Sequence, residues 1–181
     1  MNLILRKELP KDYPVVFDIV KSAFLNEAYS DKTEHFLVER LRNSEAFVPD
    51  LSIVAELDDK LVGHILLTEI NIVNKDTSST SLAMAPVSVH PDFQGRGIGA
   101  KLILKSHEVA KELGYRSIIL LGHDQYYPRF GYERADKFNI SFPFEAPPQN
   151  CMALELVEGG LKNAGGLVHY APEFNLNNSN S

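Results

Sequence analysis

The sequence predicts a mixed α/β fold, one domain around a mostly antiparallel sheet, and three observations carry that prediction. Two β-branched runs, "LSIVAEL" and "KLVGHILLTEINIV", meet across Asp58-Asp59 as a hairpin. Residues 82–121 run strand, glycine-rich turn, helix, strand, which makes one parallel crossover, right-handed by the usual chirality. At 181 residues and 44% hydrophobic, without internal repeat or linker, the chain is long enough for one full core.

The elements follow in order. Residues 3–5 form a short apolar run ended by "LPKDYP", a first strand. Asp12 then precedes a helical pattern with Val16, Ile19, Val20 and Phe24 on one face. A second helix over about 33–42 has Phe36, Leu37 and Leu41 as its expected buried stripe. After the hairpin, "NKDTSSTS" (74–81) reads as a polar turn and "LAMAPVSVH" as a fourth strand stopped by Pro91. Ile98, Leu102, Val109 and Leu113 fall at helical spacing over about 97–113, and Gly114 takes the position that ends a helix. "SIILL" is a strand buried on both faces. "FNISF" and "CMALEL" supply later strands across the proline-rich "FEAPPQN", and "GLVHY" a short last one. The domain is expected to span 1–174, with "NLNNSNS" (175–181) an unstructured tail that has nothing to bury.

Composition narrows the partners. A net charge of −6 argues against sequence-independent nucleic-acid binding, which needs basic patches. One cysteine, Cys151, excludes an internal disulfide framework and a cysteine-zinc cluster. No basic-then-apolar leader opens the chain, and no apolar run approaches the roughly 20 residues that span a bilayer, so a cytoplasmic setting is expected.

The segment "VHPDFQGRGIGAKLI" (89–103) concentrates the chemistry. Gly95, Gly97 and Gly99 stand at every second position before a helix, although glycine costs up to about 1 kcal/mol in a helix interior. The first turn of a helix offers unpaired N–H groups and a partial positive charge. Bare backbone there lets a phosphate or pyrophosphate approach without meeting a Cβ atom. "GRGIGA" formally fits the dinucleotide pattern G-x-G-x-x-G/A, but "HPDFQ" separates it from its strand and no second alternating half follows. A P-loop of the form G-x-x-x-x-G-K-[ST] is absent.

Gln94, Gly97 and Gly99 also satisfy Q/R-x-x-G-x-G/A. With the strand "APVSV" before it, the segment resembles the acetyl-CoA-binding stretch of the GNAT superfamily of N-acetyltransferases. "YYPRFGY" (126–132) resembles the "FYxKxGF" element after that family's fifth strand, and "GLVHY" resembles the ending of its YhbS-like branch. The resemblance covers nearly the whole chain and is most specific over 82–132. It implies a GNAT acyl-CoA N-acyltransferase fold, with helices on both faces of the sheet and parallel fourth and fifth strands that splay apart to admit the pantetheine arm. The arm would pair with backbone at Val87, Ser88 and Val89, and the pyrophosphate would sit on Gln94, Gly95, Arg96, Gly97, Ile98, Gly99 and Ala100. Two departures stand out: His123-Asp124 follows Gly122 where relatives often carry Asp-Pro, and Pro128 falls inside the tyrosine turn.

Acetyl transfer to an amine needs a neutral nucleophile, a donor to the oxyanion and a proton for the leaving thiolate. The resemblance implies a backbone N–H around Val87 to Val89 as oxyanion donor, Tyr127 as the acid beside the sulfur, and Glu34 as a possible base. Glu27, Glu69, His64 and His123 are further base candidates. A carboxylate in a first helical turn is also explained by the dipole, and a strand histidine such as His64 by packing. No histidine pair has metal-ligand spacing, so no metal is expected, and Cys151 lies outside the motifs, which argues for direct transfer. The expected partners are acetyl-CoA as co-substrate and an amine acceptor, in a monomer or homodimer. The alternative is an inactive acyl-CoA-binding regulatory domain.

Overall fold

Asp58 and Asp59 both take positive φ, 48° and 66°, and close the two-residue turn between β2 (Phe47–Leu57) and β3 (Lys60–Val73). The computed structural model describes residues 1–176. The other elements are β1 (Leu3–Lys7), α1 (Tyr13–Phe24), α2 (Glu34–Arg42), β4 (Ser78–Val89), α3 (Ile98–Glu112), β5 (Ser117–Leu121), β6 (Glu133–Arg134), β7 (Ile140–Ser141), β8 (Cys151–Glu155) and β9 (Gly166–His169). Strand order is β1-β2-β3-β4-β5-β8-β6, with β9 on β3 and β7 on β9. The sheet is mixed: β4 and β5 pair in parallel at Leu82↔Ile118 and Ala83↔Ile119, and β4 runs on to Val89 beyond that pairing.

The chain divides into two compact units, Met1–Thr68 with Ala85–Val109, and Glu69–Met84 with the chain from Ala110 onward. In the first, β1 pairs with β2 from Leu3↔Leu57 to Lys7↔Ile53, and Arg6 bonds Asp12 (2.7 Å) and Glu56 (2.9 Å), tying the start of α1 to both strands. That guanidinium holds the Asp12 carboxyl below the usual range. Helices cover both faces of β3: a Cβ on Gly63 would touch Leu102 of α3 at 3.1 Å, while the neighbouring residue, His64, reaches toward Glu8, the partner of Arg42 on α2. The α2 stripe differs from expectation: His35, Val38 and Leu41 are buried, and Phe36 is 47% exposed. Both rings meet Phe17 edge-on, His35 at 4.7 Å and Phe36 at 5.6 Å, so Phe36 keeps an aromatic contact although half its surface is exposed.

In the second unit Ile70, Ile72, Ala83, Ile119, Ala153 and Val168 form the heart of a packed core. The expected polar turn at 74–81 is shorter, and Ser78 already starts β4. Ser81 and Ser117, both buried, satisfy each other across β4 and β5 at 2.7 Å, which lets a serine-rich sequence enter the sheet. On α3 the buried positions include Ser106 and His107, whereas Leu113, expected on its buried face, falls just past the helix end and is 43% exposed. Residues 177–181 of the expected tail lie outside the described residues, and Asn175 ends the 3-10 turn Pro172–Phe174.

Candidate active site

The glycine segment belongs to the first unit, and β4 leads into it. The His90 N–H donates to Val62 O (2.8 Å), and His90 Nδ1 accepts from the Asp92 N–H (3.2 Å), which opens the 3-10 turn Pro91–Phe93. "HPDFQ" is therefore an ordered corner between strand and helix. Gln94 Nε2 donates back to Val89 O (3.0 Å), so its side chain fastens the corner to the strand end. Gly95 and Gly97 adopt φ of 74° and 76°, left-handed values that cost a residue with a side chain about 1–2 kcal/mol. A Cβ at either position would meet nothing within 4 Å. These two glycines serve the backbone conformation first, and the space beyond them is open. Gly99 lies in the first turn of α3, whose partial charge favours an anion.

Arg96 Nη2 donates to Asp92 O (3.3 Å), and the guanidinium stands 5.2 Å from the Phe93 ring centroid. Ile98 is buried and anchors the helix start, while Gly99 and Ala100 are half-buried. On β4 the burial alternates: Pro86 and Ser88 are buried, Val87 and Val89 half-buried. Glu34 opens α2; one carboxylate oxygen takes the Ser30 hydroxyl, and the other is buried with no partner among the described residues.

Tyr127 belongs to the second unit. It opens the 3-10 turn Tyr127–Phe130, where Pro128 fits because a first-turn N–H has no helical acceptor. The ring meets Tyr126 (5.2 Å) and Tyr132 (5.8 Å) edge-on. Burial, with Tyr126 adding to it, pushes the Tyr127 hydroxyl up to about 12. Gly122 ends β5 against the same ring, and Asn150 brackets it by donating Nδ2–H to Gly122 O (2.9 Å) and accepting the Gly122 N–H (2.9 Å).

The other base candidates fare differently. The Glu69 carboxylate takes the Tyr115 hydroxyl, and burial together with that bond raises the phenol. Both line a cleft of about 550 Å³ with Arg116 and Lys162, which holds none of the residues expected to bind the cofactor. Glu27 and His123 are exposed. His64 is fully buried, and burial with Arg42 nearby pushes its ring down to about 3, which keeps it neutral. Burial raises the Cys151 thiol, which disfavours a thiolate nucleophile there. Sequence reasoning missed the groups around His64: Ser52 on β2, Glu8 just past β1 and Arg42 at the end of α2, which are far apart in sequence and share no local signal. No helix among the described residues is long and apolar enough to cross a membrane.

The pattern of the acetyltransferase (GNAT) family matches residues 15–132, which include every expected site residue. The uncharacterized N-acetyltransferase YhbS of Escherichia coli K12 is 26% identical over 174 residues, covering 96% of this chain and 99% of that protein. A second uncharacterized N-acetyltransferase of that strain, YjhQ, is 37% identical over 106 residues, 59% of each protein. Among solved structures, a GNAT family acetyltransferase from Brucella melitensis in complex with acetyl-CoA superposes with a TM-score of 0.79 at 31% identity, over 96% of this chain and 98% of that one. Escherichia coli YhbS in complex with CoA superposes with a TM-score of 0.82 at 24% identity, over 97% and 93%, a likeness of fold.

Proposed function

The chain belongs to the acetyltransferase (GNAT) family, and from that premise we propose that it moves the acetyl group of acetyl-CoA directly to a primary amine. The observation that carries this reading is the pair of left-handed glycines, Gly95 and Gly97, with open space where their side chains would be, at the head of α3. Their backbone, with Arg96, Ile98, Gly99 and Ala100, is the cradle for the pyrophosphate. Since the Gln94 N–H already points to Pro91 O (3.4 Å) and its side chain to Val89 O, Gln94 shapes the cradle more than it fills it. The fit is supported by a Brucella melitensis relative of known structure in complex with acetyl-CoA.

In this reading the backbone of Val87, Ser88 and Val89 holds the pantetheine arm and supplies an N–H to the oxyanion. The amine nitrogen attacks the thioester carbonyl, the C–S bond breaks, and the sulfur gains a proton. Tyr127, protonated throughout the neutral range with its hydroxyl up at about 12, gives that proton to the sulfur as general acid and regains one from solvent. Glu34, with one buried oxygen lacking a partner, receives the proton lost by the amine. The raised Cys151 thiol supports transfer without an acyl-enzyme.

The test is CoA release from acetyl-CoA in the presence of a panel of primary amines. Amine-dependent release with acetylated product supports the enzyme. Tight CoA binding with no release from any amine favours the regulatory alternative.

A further inference from the structure

Inside the first unit a polar chain runs through otherwise apolar packing. Arg42 forms an ion pair with Glu8, and their side chains are 7% and 1% exposed. The Ser52 hydroxyl donates to Glu8 Oε2 (2.6 Å) and lies 2.9 Å from His64 Nε2. Proton counting orients the chain. A carboxylate paired with arginine only accepts, so Ser52 gives its single hydrogen to Glu8 and must accept from His64. That fixes the Nε2–H tautomer and leaves Nδ1 a bare acceptor. Nδ1 is buried and has no partner among the described residues.

The matching donor stands one strand away. The His90 N–H bonds Val62 O, so antiparallel pairing of β3 with β4 sets Ser88 opposite His64, on the same face of the sheet. The Gly63 position agrees, since its Cβ would lie 3.1 Å from Ser88 O. Ser88 is 1% exposed, and its hydroxyl is likewise buried without a partner among the described residues. A buried donor and a buried acceptor at paired positions are each costly alone, and one water between them would satisfy both.

We infer that His64 is a positioning residue: through a water on Nδ1 it holds Ser88, and with it the β4 backbone that carries the thioester, in register with the buried Glu8–Arg42 pair. The inference rests on the proposed role of Val87, Ser88 and Val89 and adds what keeps them in place. A ring held neutral by burial suits this role, because it accepts a hydrogen bond without taking a proton. No bond is made or broken at His64.

Two substitutions separate positioning from packing. His64→Asn keeps an acceptor where Nδ1 stands and gives up the contact to Ser52; His64→Gln keeps a donor toward Ser52 and gives up the acceptor. The readout is the carbonyl resonance of acetyl-CoA labelled with 13C at the thioester carbon, bound to the full chain, with affinity measured alongside. The parent should shift the resonance downfield on binding, as a polarised carbonyl does. His64→Gln should lose more than half of that displacement while binding CoA within about threefold of the parent. His64→Asn should keep most of it, and Ser88→Ala should lose as much as His64→Gln, which also covers a glutamine variant that fails to fold. Retention of the full shift in both His64→Gln and Ser88→Ala overturns the inference. Absence of any shift in the parent overturns the cofactor reading of β4 itself, a distinct outcome.

Discussion

A Cβ atom on Gly122 would lie 2.3 Å from Cε2 and 2.7 Å from Cδ2 of Tyr127, closer than any real side chain tolerates. Tyr127 therefore occupies the space that only a glycine at the end of β5 leaves free. Gly122→Ala should displace the ring and lower kcat at least as far as Tyr127→Phe does. Steady-state kinetics with one good amine checks this, and a Gly122→Ala enzyme with parental kcat would detach Tyr127 from the chemistry.

Tyr127→Phe itself removes a donor whose bond strengthens as sulfur takes up charge, while the ring contacts to Tyr126 and Tyr132 survive. The expected fall in kcat is about 10²–10⁴-fold with CoA affinity nearly unchanged. Because burial holds the hydroxyl up at about 12, the parent's rate should show no descending limb from this group below pH 10. A pH–rate profile for both proteins reads both effects. A loss of less than about threefold would leave Tyr127 as packing, far short of an acid's usual share.

Arg96 offers a contrast between charge and backbone. Its side chain is exposed, bonded to Asp92 O and set near the Phe93 ring. An exposed charge contact contributes about 0–1 kcal/mol. Arg96→Ala should therefore weaken CoA binding by no more than about fivefold, and less than a change at Gly97. Calorimetry on the two variants ranks them, and the opposite order would make the guanidinium the main anchor.

His64 also predicts how acid acts on the fold. Its ring is pushed down to about 3 in the folded protein and titrates near 6.5 when unfolded. Above pH 6.5 both states are neutral and nothing is lost; as pH falls toward 3 only the unfolded state gains the proton, so stability falls. By pH 5 the loss from this residue should reach about 2 kcal/mol. Urea unfolding at pH 7 and pH 5 should show that much more acid sensitivity in the parent than in His64→Gln. Equal sensitivity would mean that the folded protein lets His64 take up its proton as readily as the unfolded chain does.

The hairpin, the crossover and the glycine motif were legible because each rests on local chemistry: a two-residue turn, a run of β-branched residues, a spacing of three glycines. What the glycines do was legible only in part. Residue type indicates bare backbone, but the left-handed φ of Gly95 and Gly97 emerges from the corner that His90 and Gln94 build. Helix faces were harder. Hydrophobicity puts Phe36 inward, whereas His35 is the buried ring and Phe36 is 47% exposed, both edge-on to Phe17. Ser106 is buried on α3 because its hydroxyl bonds Ile103 O (2.7 Å), a satisfaction that composition cannot display. The Glu8–Arg42–Ser52–His64 chain joins residues far apart in sequence, and nothing local announces it.

The most direct test of the account is calorimetric titration of Gly97→Val with CoA. A branched side chain at φ of 76° strains the corner and projects into the open space proposed for the pyrophosphate. Binding should weaken by tenfold or more, about 1.4 kcal/mol, while circular dichroism shows the fold intact. A folded Gly97→Val protein that binds CoA as tightly as the parent would contradict the assignment of the glycine backbone as the phosphate cradle.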